Sequence, residues 1–286
     1  MAGSCSEQLY LIGLLTEQAV RQAISAMDLP KGSIGLDAGC GIGTHALWLA
    51  EETGPDGKII GVDISSENLA CAMKAAKENG LSHRVRFLQQ DLQSLSLPLH
   101  SVDYVWCADT LWPVSGMNPL AVIKKCRRVV RPGGQIGILF WSAQVLLPGY
   151  PILEARLNLA HARANPYLQN VSPSLHFLRA LGWLRSARLV EIGMKNFVAE
   201  ISAPLSREKR KAMACCLSMF WGNLKSRVSA MDWAQFQNLS DPKSSDCIFD
   251  HPDYCALIVY TLFHAKVPAE GSDKAMIRTS ASKAKN

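Results

Sequence analysis

The stretch Asp37-Ala38-Gly39-Cys40-Gly41-Ile42-Gly43-Thr44 sets three glycines at alternate positions behind a carboxylate. Glycine lets a backbone turn with positive φ and admits a ligand where a Cβ would otherwise stand. A helix opening at Thr44 leaves its first N–H groups unpaired, and these favour a carboxylate or phosphate. Further acids follow short apolar runs at Asp63, Asp91 and Asp109. Gathered in one partly desolvated cleft, such acids suit hydroxyl, amine or cationic groups on a ligand. Singly, each also serves as a helix cap or turn former, and a glycine trio alone fits any tight strand-to-helix turn. The dinucleotide fingerprint G-x-G-x-x-G needs its third glycine where Thr44 stands; here it comes one residue early, at Gly43. Asp63 lies 20 residues beyond Gly43, where a carboxylate can accept ribose hydroxyls in either cofactor class. The features that discriminate are Asp37, ahead of the glycines, and Asp91.

Placing these residues together requires an alternating frame. Apolar runs at 34–38, 58–63, 85–91, 102–108 and 135–141 read as strands, and 44–53, 67–79 and 119–130 read as helices between them. That alternation predicts a parallel sheet of βαβ units, whose ligand crevice lies at the carboxyl ends of the strands. Ahead of it, 6–27 reads as a helix with Ser4-x-x-Glu7 available as a capping box. Beyond Trp141 the alternation stops. Residues 142–173 read as helical and loop-rich, 174–184 as a helix ending near Gly182, and 188–201 as one long strand or two short ones. Residues 204–236 read as mainly helical, 238–252 as turn-rich, and 254–267 as a buried strand, with 268–286 expected to be disordered.

The 286 residues are 48% hydrophobic and 19% charged, which excludes a disordered or collagen-like chain and allows one large or two small domains. No stretch approaches the roughly 18 apolar residues of a membrane helix. The run from Leu9 to Leu15 is short, follows Glu7 and lacks a cleavage site, so no signal peptide is read and a cytoplasmic location is expected. Nine cysteines occur without a C-x-x-C pair or zinc-ligand spacing, so reduced thiols and no metal are expected. The neighbours Cys215 and Cys216 suit either a soft metalloid or a chance pairing on one helix. Of the +6 net charge, 124–131 contributes five, 207–211 a net three and 267–286 a net two, leaving the remainder at −4. Solvated helix ends explain these segments, and no aromatics are interleaved with them as a single-strand nucleic-acid platform would require.

LDAGCGIG, GVDIS, QQDLQSLSLP, VDYVWCAD and VVRPGGQIGIL stand in order between Ile34 and Phe140. In this set and order the chain resembles the class I S-adenosylmethionine-dependent methyltransferases, nearest their quinone-ring and small-molecule branch. The resemblance implies an α/β fold: a Rossmann-like, doubly wound, seven-stranded sheet, mostly parallel with an antiparallel last strand, plus helical lid insertions. It implies residues 1–33 as an N-terminal helical lid and 34–267 as the methyltransferase domain, with acceptor-side insertions at 142–173 and 204–252. It also implies S-adenosylmethionine as cofactor. Gly39, Cys40, Gly41 and Gly43 would pass beneath its methionine part, with Asp37 holding the ammonium and Thr44 near the carboxylate. Asp63 would hold the ribose and Ile64 pack on the adenine. Asp91 would accept from the adenine amino group while the Leu92 backbone reads the ring, and Ala108 or Asp109 would lie beside the methionyl ammonium.

A sulfonium methyl is electrophilic and its thioether leaves without a proton, so alignment and water exclusion suffice unless the acceptor must lose a proton early. Candidate bases are His161, His176, His251, Tyr10, Tyr150 and Tyr167, with His45 read as packing and Trp112 as shaping the site. Met213, Met219, Phe220, Trp221, Met231, Trp233 and Phe236 fit either the core of a lid or a ligand box. Asp109-Thr110-Leu111-Trp112 stands where an N/D-P-P-Y tetrapeptide would signal amino-directed DNA methylation. The expected acceptor is therefore a small, apolar or aromatic metabolite, with nucleic acid disfavoured. Nucleic-acid or protein methylation, or a nicotinamide-dependent oxidoreductase, is the alternative.

Overall fold

The computed structural model describes residues 5–113, 117–165 and 172–270. Ser4 of the capping box, Tyr167 and most of the tail expected at 268–286 lie outside them. Helix α1 (Cys5–Ser25) precedes an alternation of β1 (Ile34–Ala38), α2 (Thr44–Glu52), β2 (Lys58–Asp63), α3 (Ser66–Glu78), β3 (Val85–Gln89), β4 (Val102–Ala108), α4 (Pro119–Val129) and β5 (Val130–Val145). There follow α5 (Pro151–Ala164), α6 (Ala180–Ser186), β6 (Val190–Ser202), α7 (Arg207–Trp221), α8 (Ala230–Ser240) and β7 (Cys255–Lys266). The strands form one sheet in the order β3-β2-β1-β4-β5-β7-β6. β1 to β5 pair in parallel, and β7 runs antiparallel between β5 and β6. This is the α/β, Rossmann-like sheet expected.

β4 shows why its sequence is apolar almost throughout. Tyr104, Trp106 and Ala108 enter one core, with α1, α2, α5 and α7, while Val105 and Cys107 enter the other, with α4 and α6. Successive side chains of a strand point to opposite faces, so a sheet covered on both faces leaves no polar row. Local chemistry sets the helix starts: Ser65, Asn118, Ser206 and Ser229 each accept an N–H two or three residues into the helix that follows.

Three boundaries differ from the sequence expectation. β5 was expected at 135–141 but spans Val130–Val145, because a register shift against β4 absorbs Pro132 and the two glycines after it. At its far end, a second shift lets Ala143 to Val145 pair with β7, so the α5 insertion begins after Val145 and not at 142. Gly182 lies inside α6, where burial of Trp183 and Leu184 outweighs its helix-breaking tendency, while the stretch read at 188–201 as one long strand or two short ones is one strand, Val190–Ser202.

Insertion α5 is tied to the end of β5 by a buried carboxylate. Glu154 accepts the Leu146 N–H at 2.8 Å and the Leu147 N–H at 3.1 Å, while the Tyr254 hydroxyl donates to the Leu146 carbonyl at 3.2 Å. Glu154→Gln deprives one buried N–H of its acceptor and is expected to cost about 1–2 kcal/mol. Urea denaturation measures it; an unshifted midpoint would show that these amides find other partners.

Candidate active site

The glycine loop joins β1 to α2 with Gly39, Gly41 and Gly43 at φ 82°, 52° and 84°. Its path is pinned to β2. Gly39 and Cys40 donate to the Val62 carbonyl at 2.8 and 3.0 Å, and Gly41 donates to Asp63 Oδ2 at 2.8 Å. Asp63 Oδ1 accepts the Ser65 N–H at 2.9 Å, so each carboxylate oxygen keeps one further lone pair toward the mouth of the sheet. Ile64, beside it, is 68% exposed, an apolar face at the cleft rim. The Thr44 and His45 N–H groups, in the first turn of α2, have no intrahelical partner.

Asp37 sits beneath this loop, 1% exposed. The Ala46 N–H bonds its carboxyl, yet its Oδ2 is buried without a hydrogen-bond partner. Burial above all, and then the charge of Asp63, push Asp37 up to about 8. Cys40 is buried above it, and its thiol is pushed well up by burial and by Asp37 and Asp63. On the adenine side of the expected site, Asp91 caps the short 3-10 turn Leu92–Ser94 through Oδ1, which accepts the Gln93 N–H at 2.8 Å, and Leu92 is buried. Apart from Asp109, the expected cofactor residues thus lie at or just beyond the carboxyl ends of β1 to β4.

Asp109 is differently placed. Following β4 with φ 46°, a region few non-glycine residues adopt, it turns its carboxyl toward β5 and β7. Oδ1 accepts the Trp141 N–H at 2.8 Å, and Tyr260 hydrogen-bonds the same carboxyl through its hydroxyl. Burial pushes Asp109 up to about 6, against these two bonds. Its backbone carbonyl accepts the Trp112 indole N–H at 2.9 Å, and Trp112 packs edge-on against Phe140 and Phe177, as part of the aromatic core under that strand end.

The N-terminal half of α1 crosses the loop. A Cβ on Gly41 would meet Leu9 Cδ1 at 3.5 Å, Ser6 bonds Glu67 of α3 at 3.4 Å, and Glu7 pairs with Lys211 of α7 at 2.6 Å. Of the candidate bases, His161 lies edge-on to Phe220, which meets Trp141. His176 is exposed and stacked on Phe177, while His251 is exposed beside Asp253. Tyr10 is exposed, and Tyr150 is half-buried on the core. His45 accepts the Trp106 indole N–H at Nδ1 (3.4 Å) and stacks on Trp48; burial pushes it down to about 4, so it stays neutral with its proton on Nε2. Met213, Trp221 and Phe236 form the core of the α5, α7 and α8 layer, whereas Met219 and Met231 are exposed and Trp233 leans on Phe236. Cys216 is fully buried and Cys215 half-buried, and among the described residues no group of three or more His, Cys, Asp or Glu could hold a metal ion.

Residues 36–134, from β1 into β5, match a family model described as a methyltransferase domain. Over those residues the chain is similar to methyltransferase domains. Curated relatives are also named as methyltransferases. The chain is 32% identical over 130 residues to a demethylmenaquinone methyltransferase of Geobacillus stearothermophilus, covering 46% of this chain and 54% of the relative. It is 29% identical over 160 residues to the methyltransferase GfsG of Streptomyces halstedii, covering 54% and 55%. The chain thus spans about half the length of the curated relatives it matches. A solved structure of Haemonchus contortus phosphoethanolamine N-methyltransferase 2, in complex with S-adenosyl-L-methionine, aligns with TM-score 0.53 at 16% identity, over 92% of this chain and 57% of that one; it shares the fold. Outside the matched methyltransferase domain lie α1 and the three helices of the insertions. Among the described residues no helix is long and apolar enough to cross a membrane.

Sequence reasoning missed Tyr260 and Thr16 as site residues. Tyr260 stands in a run that reads only as a buried strand, and its partner is 151 positions away in the chain, so no local signal pointed to it.

Proposed function

We propose that this protein transfers the methyl group of S-adenosylmethionine to a small apolar or aromatic acceptor. The observation that carries the reading is Asp37, a buried carboxylate with one unpartnered oxygen directly beneath a glycine loop that Asp63 holds open. An ammonium is the group that such an oxygen lacks, and a buried carboxylate gains most from a cation. Asp37 would hold the methionyl ammonium, through water or directly, with the α2 amides at Thr44 on its carboxylate. Gly39, Cys40, Gly41 and Gly43 would line the loop beneath it. Asp63 would accept from the ribose through its remaining lone pairs, Ile64 pack on the adenine, and Asp91 with the Leu92 backbone read the adenine edge. The Ala108 end of β4 would flank the methionyl part. Bound there, the sulfonium supplies an electrophilic methyl whose leaving group needs no proton.

We read α1 as the lid, since its first turns bridge α3 and α7 across the loop, with α5, α7 and α8 completing the acceptor side. Ion pairs of Arg131 with Asp103, Arg210 with Asp250 and Lys211 with Glu7 support the solvated-helix reading of the basic segments over a nucleic-acid partner. Calorimetry with S-adenosylmethionine and with NADH tests the cofactor; preference for NADH overturns it.

A proton measurement tests the role of Asp37. With its pKa near 8 in the free protein, Asp37 is mostly protonated at pH 7, and an incoming ammonium favours its ionised form. At pH 9, where Asp37 is already ionised, the ligand's own α-amino group (pKa about 7.7–8.0) must gain a proton to bind as an ammonium, whereas at pH 7 binding is expected to release part of a proton from Asp37. Calorimetry in buffers of different ionisation enthalpy counts that proton, and Asp37→Asn should abolish it. Binding heats that do not vary with the buffer would remove Asp37 from the ammonium site.

A further inference from the structure

Asp109 and Tyr260 make a hydrogen-bonded pair beyond the end of β4. The Tyr260 hydroxyl donates to the Asp109 carboxyl, and the Thr16 hydroxyl of α1 lies within reach of both that phenol oxygen and the Ile12 carbonyl, 3.0 Å away, with one proton to give to either. Tyr260 is buried and its pKa is raised well above the ordinary value by that burial and by Asp109, so it keeps its proton as a permanent donor. Around the pair runs a row of rings. Tyr260 meets Trp141 with centroids 5.9 Å apart, Trp141 meets Phe220 at 5.3 Å, and Phe220 meets His161 at 5.5 Å. Trp141, Phe220 and His161 are each only half-buried, and Asp109 is likewise half-buried at the strand end next to the glycine loop.

Resting on the methyltransferase reading, we propose that Asp109 is the catalytic base, that Tyr260 is its positioning residue, and that the acceptor is an aromatic compound bearing a weakly acidic hydroxyl, seated against Trp141, Phe220 and His161. A carboxylate at the foot of an aromatic wall matches such an acceptor: the rings take the apolar face, and the carboxylate takes the one proton that must leave. In the step, the hydroxyl proton passes to the Asp109 carboxylate as the acceptor oxygen forms its bond to the methyl carbon. The C–S bond breaks with its electron pair going to sulfur, which cancels the sulfonium charge, and Asp109 then releases the proton to water. The Trp141 N–H and the Tyr260 hydroxyl fix the carboxylate so that its orientation is set before the acceptor arrives. The groups that face the pair are Cys107 on β4, the Trp141 amide on β5, Thr16 on α1 and Cys216 on α7. All are uncharged at neutral pH, so Asp109 is the group whose ionisation governs the acidic limb of the rate.

Methyl-labelled S-adenosylmethionine with 2-naphthol, and with 2,4-dinitro-1-naphthol, which is already ionised at neutral pH, tests this on the full chain. Wild type should methylate 2-naphthol. At saturating cofactor, Asp109→Asn should lower kcat for 2-naphthol about 10²-fold or more, yet lower the rate with the ionised naphthol by under about 10-fold. Tyr260→Phe removes a donor to the carboxylate, so the acidic limb of the pH–rate profile should move to higher pH. A purely structural role would leave that limb in place. No transfer to 2-naphthol by a protein that binds the cofactor overturns the proposal and spares the methyltransferase reading. Equal losses on both naphthols also overturn it, whereas failure to bind the cofactor at all overturns the methyltransferase reading itself. Should Asp109→Asn not fold, the Tyr260→Phe profile decides.

Discussion

Gly43→Ala is expected to lower unfolding stability by about 3 kcal/mol, while Gly41→Ala, two positions earlier, costs about 1 kcal/mol. Both glycines have positive φ, 84° and 52°, and an alanine there pays roughly 1–2 kcal/mol of backbone strain. The difference lies in the surroundings. A Cβ on Gly43 would stand 2.8 Å from Ala72 Cβ, 3.0 Å from Phe87 Cζ and 3.1 Å from the Ala72 backbone, in the contact between the start of α2, α3 and β3. Helix backbone cannot yield to a methyl, and forcing extra volume into a packed core costs a further 1–3 kcal/mol or so. A Cβ on Gly41 would touch only Leu9 Cδ1, at an ordinary 3.5 Å. It would, however, fill the space over the loop, so Gly41→Ala should weaken S-adenosylmethionine binding at least 10-fold with a small stability change. Urea denaturation and calorimetry on both variants separate the two effects. Equal destabilisation at the two positions would contradict the packing argument.

Asp63→Ala is expected to weaken binding of S-adenosylmethionine and of S-adenosylhomocysteine by about 10²-fold or more. Two effects combine. The ribose hydroxyls lose a charged acceptor, and hydrogen bonds to charged groups contribute about 1.5–3 kcal/mol each. The loop also loses its clasp, since the Gly41 and Ser65 N–H groups, now bonded at 2.8 and 2.9 Å, lose their acceptor. Asp63→Asn keeps one carbonyl oxygen in the same place and should lose about 10-fold, intermediate between the two. Unchanged affinity in the alanine variant would refute the ribose assignment. An asparagine variant as weak as alanine would point to charge, with shape having little part.

The acceptor side and the cofactor side differ in how their parts are connected along the chain. Asp37, the three glycines, Asp63 and Asp91 each lie at a strand end within consecutive βαβ units, so their convergence follows from topology: parallel neighbours bring their carboxyl ends to one edge. Nothing comparable joins Asp109 to Tyr260 or Thr16 to either. They come from β4, β7 and α1, and meet because β7 inserts antiparallel beside β5 and α1 packs across that face.

The amino-acid sequence by itself determined the α/β alternation, the glycine loop and the strand-end carboxylates, because each is encoded in spacing within some twenty residues, where periodicity and turn chemistry act. It also contained the last strand, from the β-branched run that became β7. Tertiary structure alone decided that β5 continues to Val145, that the Asp109 carboxyl meets Trp141 and Tyr260, and that Trp141, Phe220 and His161 stand in one row. These depend on strand register and on helix packing between segments more than a hundred residues apart, and register is set by which neighbours a strand finds. A local pattern of turns cannot report it; only the folded sheet can.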